Sequence, residues 1–256
     1  MRFDLQTILG SKIGTSVDVN GFFVPANSLA NHLRRFSEPA LFNTEEAGAY
    51  SLTKSGSLAR IKFRKQYFAL TSRHQVIGPH YKFDQLCMVA HDERTLFTSH
   101  SVVFPEGDED QQDDFDVLLF EFTELVTSGR LPASGWYDVS DDFHRKGPRQ
   151  PGRVCCIGYP GYRNTINYDE MGYPRAPDAV WGVEVDPVLS GRLSFEPQPK
   201  IAFDPAGMSG APVFGLSIDN DTPKTFFAGI LTNASSVKFN FISFSRIKTM
   251  LPQTDS

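Results

Sequence analysis

The chain has 256 residues, 40% of them hydrophobic, and carries 25 Lys and Arg against 30 Asp and Glu, a formal charge of −5. At about 1.7 times the usual ~150-residue domain it suits one large domain or two lobes sharing a core, and it is too short for a long multidomain array. No basic face of the kind that neutralises phosphates is evident, and no window approaches the ~18 apolar residues that cross a bilayer, so neither nucleic acid nor membrane is an expected partner.

Residues Met1 to Thr7, with an acid at Asp4, contain no apolar stretch of the signal-peptide kind. The cysteines Cys87, Cys155 and Cys156 are odd in number, include one vicinal pair and lack Cys-x-x-Cys spacing. That arithmetic fits neither a disulfide framework nor a metal site, so a soluble protein of a reducing, cytoplasmic setting, without metal or cofactor, is expected. Phe is abundant at 22 residues, and bulky aromatics at alternating positions favour strands.

Residues 27–36 open on a capping Asn and put Leu29, Leu33 and Phe36 on one side, which predicts a short amphipathic helix. From about residue 48 the pattern becomes short alternating runs broken by turn residues, at Ala49–Leu52, Leu58–Phe63, Gln66–Leu70, Leu86–His91, Thr95–Phe104 and Phe115–Phe122. Period two repeated in this way predicts strands. Thr127 to Gly152 is polar and bears Pro and Gly, so it reads as a connection between two halves, with one strand edge at Trp136-Tyr137. Strand signals resume at Val154–Ile157, Val180–Val185, Gly191–Phe195, Pro212–Leu216, Phe226–Leu231 and Val237–Ile242. Ser245 then caps apolar residues at helical spacing as far as Leu251, followed by Pro252, which predicts a closing helix.

Three segments can carry chemistry. Asp204 to Phe214 holds Ser209 between small, flexible residues just before an apolar strand, and glycines there let the amides of Gly207 and Ser209 converge on an oxyanion near the Ser209 hydroxyl. A serine nucleophile needs a base, and all six histidines precede Ser209, which rules out the Ser, acid, His order of the α/β-hydrolases. His74 ends an apolar strand and enters a turn, where a side chain can face a cleft. Asp116 leads into a strand whose alternate residues must be buried, so it can be held beneath a histidine. The neighbouring acids Asp108, Glu109, Asp110, Asp113 and Asp114 read as a solvated loop.

At these segments the sequence resembles the trypsin-like serine peptidases, especially stand-alone bacterial members of the Deg/HtrA type. Leu70-Thr71-Ser72-Arg73-His74 is similar to that family's Thr-Ala-x-His box. Asp116-Val117-Leu118-Leu119 is similar to its Asp-Ile-Ala-Leu strand, and Gly207-Met208-Ser209-Gly210-Ala211-Pro212 to its Gly-x-Ser-Gly-Gly-Pro loop. The resemblance implies an all-β fold of two antiparallel six-stranded barrels with the site between them, flanked by the short N-terminal and C-terminal helices. The implied layout is an N-terminal extension (1–47) and a peptidase domain (48–256). The latter divides into a first barrel (48–126), a connection (127–152), a second barrel (153–244) and a C-terminal helix and tail (245–256). It implies peptide-bond hydrolysis through an acyl-enzyme, with Ser209 attacking, His74 moving the proton, Asp116 orienting the imidazole and the Gly207 and Ser209 amides holding the oxyanion.

The same resemblance assigns Thr232 to support of the buried acid and Phe203, Thr232 and Ala234 to the primary specificity pocket, which then favours an apolar or small side chain. Departures from the family are as informative. Met208 stands where digestive members pair an Asp with a newly cut N-terminus, Ala211 replaces a glycine, and Gln75 stands where the family has a cysteine. A peptide or protein substrate is the expected partner, and restraint of a cytoplasmic protease leaves a place for an activating or inhibitory protein. The rival readings are a protease-fold peptide-binding module with an impaired oxyanion turn, and an esterase-like hydrolase using the same triad.

Overall fold

Short apolar runs rich in β-branched and aromatic residues make this chain a protein of strands, joined by helices of no more than a turn or two. The computed structural model describes residues 15–44, 52–90, 95–107, 115–140, 152–166, 175–187, 191–219 and 222–252. Residues 49–51 and 91 of the predicted strands, the acids at 108–110 and 113–114, and the part of the connection at 141–151 lie outside the described residues.

The first sheet runs β7 (Leu96–Thr98), β6 (Leu86–Val89), β3 (Ser37–Asn43), β4 (Leu52–Phe63), β5 (Gln66–Thr71), β9 (Leu118–Glu121), β8 (Ser101–Val103), with β10 (Tyr137–Asp138) parallel to β4. Among the described residues its two ends do not meet, so it is a half-barrel. The second sheet closes on itself as a six-strand barrel: β14 (Pro212–Asp219), β11 (Arg153–Gly158), β12 (Asp178–Val185), β13 (Leu193–Pro197), β16 (Phe239–Ser243) and β15 (Thr222–Ala234), sealed by the β14–β15 pairing. The hairpin of β1 (Ser16–Val19) and β2 (Phe22–Pro25) adds to β15 through a parallel contact of β1. The all-β reading and the strand positions along the chain agree with this architecture.

The predicted boundary at residue 47 does not. β3 lies inside the half-barrel, paired to β4 on one edge and β6 on the other, so residues 37–43 belong to the first lobe. Period-two burial in Ser37–Asn43 is masked by Pro39 and by a bulge between Pro39 and Leu41, which is why the run did not read as a strand. The predicted N-terminal helix is present as an α-helix at Leu29–Leu33 flanked by 3-10 turns, and Leu29, Leu33 and Phe36 are buried as its spacing requires. The closing helix begins at Phe244, with Ser243 rather than Ser245 in the cap position.

The two lobes share one apolar core. Phe36 meets Tyr137 edge-on with ring centres 5.2 Å apart, and Tyr137 meets Phe214 at the same separation, so an aromatic line runs from the N-terminal helix through the connection into the second barrel. Aromatic pairs at such distances contribute beyond their buried area, by about 0.5–1.5 kcal/mol each. Tyr137 is buried to 1% exposure, and its hydroxyl meets Thr225 Oγ1 at 3.2 Å, which satisfies its one polar atom. Cys155 and Cys156 are core residues in β11, and all three free cysteines are buried. Burial alone pushes the Cys87 thiol up to about 12, so it is an inert apolar group rather than a redox centre.

Candidate active site

β5 ends at Thr71, and the chain turns into a single helical turn that starts at His74. Asp116 lies two residues ahead of β9, the partner of β5 in the half-barrel, so sheet pairing brings the two residues together. Asp116 Oδ2 and Oδ1 lie 2.9 Å and 3.0 Å from His74 Nδ1, and Oδ1 also accepts the His74 backbone N–H at 3.0 Å. The Asp116 carbonyl accepts the Arg73 N–H at 3.3 Å. Asp116 adopts φ +48, in the left-handed region that costs a non-glycine residue roughly 1 kcal/mol or more. Four contacts to one short segment hold it there. Its side chain is 8% exposed and that of His74 45%, so the acid is covered and the imidazole faces the cleft. Two acceptor oxygens on Nδ1 put the ring proton there and leave Nε2 a bare acceptor.

Ser209 sits in the turn before β14. The Ala206 carbonyl accepts Gly161 N–H at 2.7 Å, and the Met208 carbonyl accepts Ala211 N–H at 3.0 Å. In a trans peptide the N–H points opposite to the C=O, so both bonds turn the following amides, of Gly207 and Ser209, the other way. Among the described residues neither amide meets an acceptor. Both are donors left unpaired among the described residues, the kind of group an oxyanion needs. Gly207 has φ +89 and Gly210 φ +87, and a Cβ at Gly210 would fall 2.0 Å from Ser57 O, so the turn closes only with glycine there.

Three hydroxyls on the first lobe lock this turn in place. Ser57 Oγ donates to Gly207 O at 2.9 Å and accepts Tyr159 N–H at 2.9 Å, while Ser57 N–H donates to Ser209 O at 2.8 Å. Thr71 Oγ1 donates to Ser57 O at 2.9 Å. Ser72 Oγ donates to Leu231 O at 3.0 Å, and the same carbonyl accepts Gly210 N–H at 2.7 Å. Leu231 O therefore anchors both the His74 segment and the Ser209 turn. Sequence reasoning missed Ser57 and Ser72 as supports, although Ser72 lies inside the His74 box and Ser57 in the Ser55-Gly56-Ser57 hairpin.

Two side chains in this cleft depart from the expected triad contacts. The Ser209 hydroxyl donates to Thr232 O at 3.2 Å. His74 Nε2 instead takes the Gln75 carboxamide at 2.8 Å, while Gln75 Oε1 accepts Ser55 Oγ at 3.0 Å. Gly56 makes room for this, since a Cβ there would lie 2.8 Å from Gln75 Oε1 and 2.9 Å from Ser209 O. Beside the histidine, where Gln75 departs from the family's cysteine, a Ser55–Gln75 hydrogen-bonded pair joins the strand to the turn.

Thr232 differs from its expected role. Its hydroxyl donates to Asn240 O at 3.3 Å and accepts Arg192 Nη1 at 3.0 Å, so it does not reach Asp116; a bulge between Leu231 and Asn233 turns the side chain toward β16. Thr232 serves the site through its carbonyl instead. Phe203 stacks obliquely on Tyr162 at 5.5 Å, and both Phe203 and Ala234 pack against the second-barrel core. Asp204, one residue away, accepts the Ala206 N–H at 3.0 Å and is spent on the turn. The extra methyl of Ala211 is tolerated because it faces Gly158, where a Cβ would lie 2.9 Å from it; Met208 fills the same apolar space and is fully buried.

Lys54 is the charged neighbour of the turn. Its Nζ donates to Tyr159 O at 2.7 Å and lies 3.0 Å from where a Gly207 Cβ would be. Burial without a compensating acid lowers its pKa from 10.5 to about 8.

The whole backbone can be compared with solved structures. Human heparin binding protein superposes with a TM-score of 0.53 at 12% identity over 84% of this chain and 88% of that one. The protease Anisep from Arthrobacter nicotinovorans superposes with a TM-score of 0.51 at 11% identity, over 84% of this chain and 93% of that one. The chain has the chymotrypsin-like fold. No protein-family profile and no curated protein matches the sequence, and neither of these two structures points to the Deg/HtrA type in particular. Among the described residues no helix is long and apolar enough to cross a membrane.

Proposed function

We infer that this chymotrypsin-fold protein is a serine endopeptidase. The supporting observation is the convergence of an Asp116-bound His74 with a serine whose turn presents two unpaired amides, at the junction of the two lobes. In this reading Ser209 Oγ attacks the substrate carbonyl as His74 Nε2 takes its proton. The amides of Gly207 and Ser209 hold the oxyanion, and His74 returns the proton to the leaving amine. Water then enters by the same route and releases the acyl group. Asp116 keeps the proton on Nδ1 throughout. Peptide and ester substrates share this path, and their relative rates separate a peptidase from an esterase-like hydrolase.

One observation favours a second reading, a peptide-binding module on the protease fold: the Gln75 carboxamide occupies the Nε2 atom that a working base needs. The deciding experiment is labelling by a fluorophosphonate probe of the wild type, Ser209→Ala and His74→Ala. A peptidase labels as wild type and loses labelling in both variants. A folded wild type that binds peptide and never labels is the binding module.

A further inference from the structure

The acyl and leaving-group halves of a substrate lie on opposite sides of Ser209, and the surrounding elements tell them apart. His74 must deliver its proton to the leaving group, so that half lies toward His74 Nε2. Gln75 and residues 54–57 of β4 line that side, because Gln75 touches both His74 and Ser55 and the β4 segment is hydrogen-bonded to the turn through Ser57. The other side is β15, whose Thr232 carbonyl takes the Ser209 hydroxyl.

Each side offers a cation. On the leaving-group side it is Lys54, whose ammonium has one acceptor, Tyr159 O, and sits against Gly207. On the acyl side it is Arg192, whose guanidinium donates to the Thr232 hydroxyl. Among the described residues no carboxylate lies within ion-pair distance of either. Asp116 and Asp204, the acids near the serine, are engaged by His74 and by the Ala206 N–H, so neither neutralises Lys54 or Arg192. A partly desolvated ammonium that keeps spare N–H donors gains most when an anion arrives.

Resting on the endopeptidase reading, we propose that the cleft takes acidic peptides, with Lys54 reading an anionic group on the leaving-group side of the scissile bond and Arg192 reading one on the acyl side. The anion is a carboxylate in either case. It belongs to an Asp or Glu side chain, or on the leaving-group side to a free chain terminus. The lowered pKa of Lys54 agrees with a site that waits for its counter-charge. No new covalent step is involved.

The test is cleavage-site profiling of a proteome-derived peptide library by mass spectrometry, with free and with amidated C-termini. The enzymes are the wild type, Lys54→Arg, Lys54→Glu, Arg192→Glu and Ser209→Ala. The wild type is expected to cut where Asp or Glu lies within two residues after the bond, and Lys54→Arg to keep that preference. Lys54→Glu should lose at least tenfold in kcat/KM on those sites and turn toward Lys and Arg there. Arg192→Glu should alter only the residues before the bond. Preference that disappears in the amidated library assigns the anion to a chain terminus; preference that survives assigns it to side chains. Ser209-dependent cleavage without acidic enrichment, or an unchanged profile in Lys54→Glu, overturns the proposal and leaves the endopeptidase reading standing. Equal loss on every substrate in both Lys54 variants also overturns it, making Lys54 a support of the oxyanion turn. Absence of cleavage by the folded wild type overturns both.

Discussion

Gln75 Nε2 lies 2.8 Å from His74 Nε2, so the carboxamide next in sequence to the imidazole is bonded to the nitrogen that faces the cleft. The other end of the carboxamide is held by the Ser55 hydroxyl, and the Ser209 hydroxyl is turned to the Thr232 carbonyl. In this resting arrangement both partners of the proposed proton transfer are engaged elsewhere. A substrate must exchange one neutral hydrogen bond on each before the transfer starts.

Removing that cap should speed acylation. Gln75→Ala is expected to raise the rate of fluorophosphonate labelling by roughly two- to tenfold, the worth of one net hydrogen bond. Ser55→Ala should give part of the same gain and add little to Gln75→Ala, since both act on one contact. In the 15N spectrum the His74 Nε2 resonance should move in Gln75→Ala, a signature a purely structural role would not give.

Asp116→Asn keeps the shape of the pair and presents an N–H to Nδ1, which moves the ring proton to Nε2. The fall in kcat should be about 10⁴-fold if the triad logic holds. Circular dichroism spectra matching the wild type are expected, because the substitution alters no volume.

Ser57 Oγ bridges Gly207 O and Tyr159 N, joining the oxyanion turn to the end of β11. Ser57→Ala leaves a buried donor and a buried acceptor without partners and is expected to destabilise the fold by about 1–3 kcal/mol in urea titration. Ser57→Thr restores the hydroxyl and should recover labelling, a rescue that loss of volume alone would not give.

Two glycines of similar φ separate sterics from backbone preference. Gly129 has φ +76 and open space around it, so Gly129→Ala should cost about 1 kcal/mol. Gly210 has φ +87 and the Ser57 carbonyl 2.0 Å from its missing Cβ, so Gly210→Ala should cost about 2–5 kcal/mol and abolish labelling.

Lys54 ties stability to pH. Its folded pKa, about 8, lies below the 10.5 of the unfolded chain. Between those values the unfolded state binds more protons, so the Lys54 contribution to stability rises with pH across that window and is an unfavourable constant below it. The Cys87 thiol works in the opposite sense: its folded pKa is raised to about 12 from 9.0, so stability it contributes is lost from about pH 9 upward. The difference curve between wild type and Lys54→Met isolates the lysine and should climb from about pH 8. Any preference for acidic leaving groups should fade over the same range.

Strand positions were legible in the sequence because a short apolar run is a local property, written residue by residue, and in Ala59–Phe63 the burial alternates as the pattern requires. The candidate residues His74, Asp116 and Ser209 were legible for a related reason: a cleft between two lobes needs a strand end, a strand start and a glycine turn, and each leaves a short local signature. β3 was not legible, because a proline and a bulge erase its period. Closure of one barrel and not the other was equally hidden, since it depends on which strand ends meet.

The tertiary structure alone decided what surrounds the three residues. The bulge at Thr232 turned its hydroxyl away from Asp116, and the space at Gly56 admitted the Gln75 carboxamide to His74. The shared Leu231 carbonyl determined how the two lobes present base and nucleophile, and the approach of β4 to the turn put the Lys54 ammonium beside Gly207. Each of these is a contact across more than a hundred residues of chain or a choice of rotamer within a few ångströms. Local propensity carries no information about either, because the energy that selects them comes from packing and desolvation in the assembled cleft.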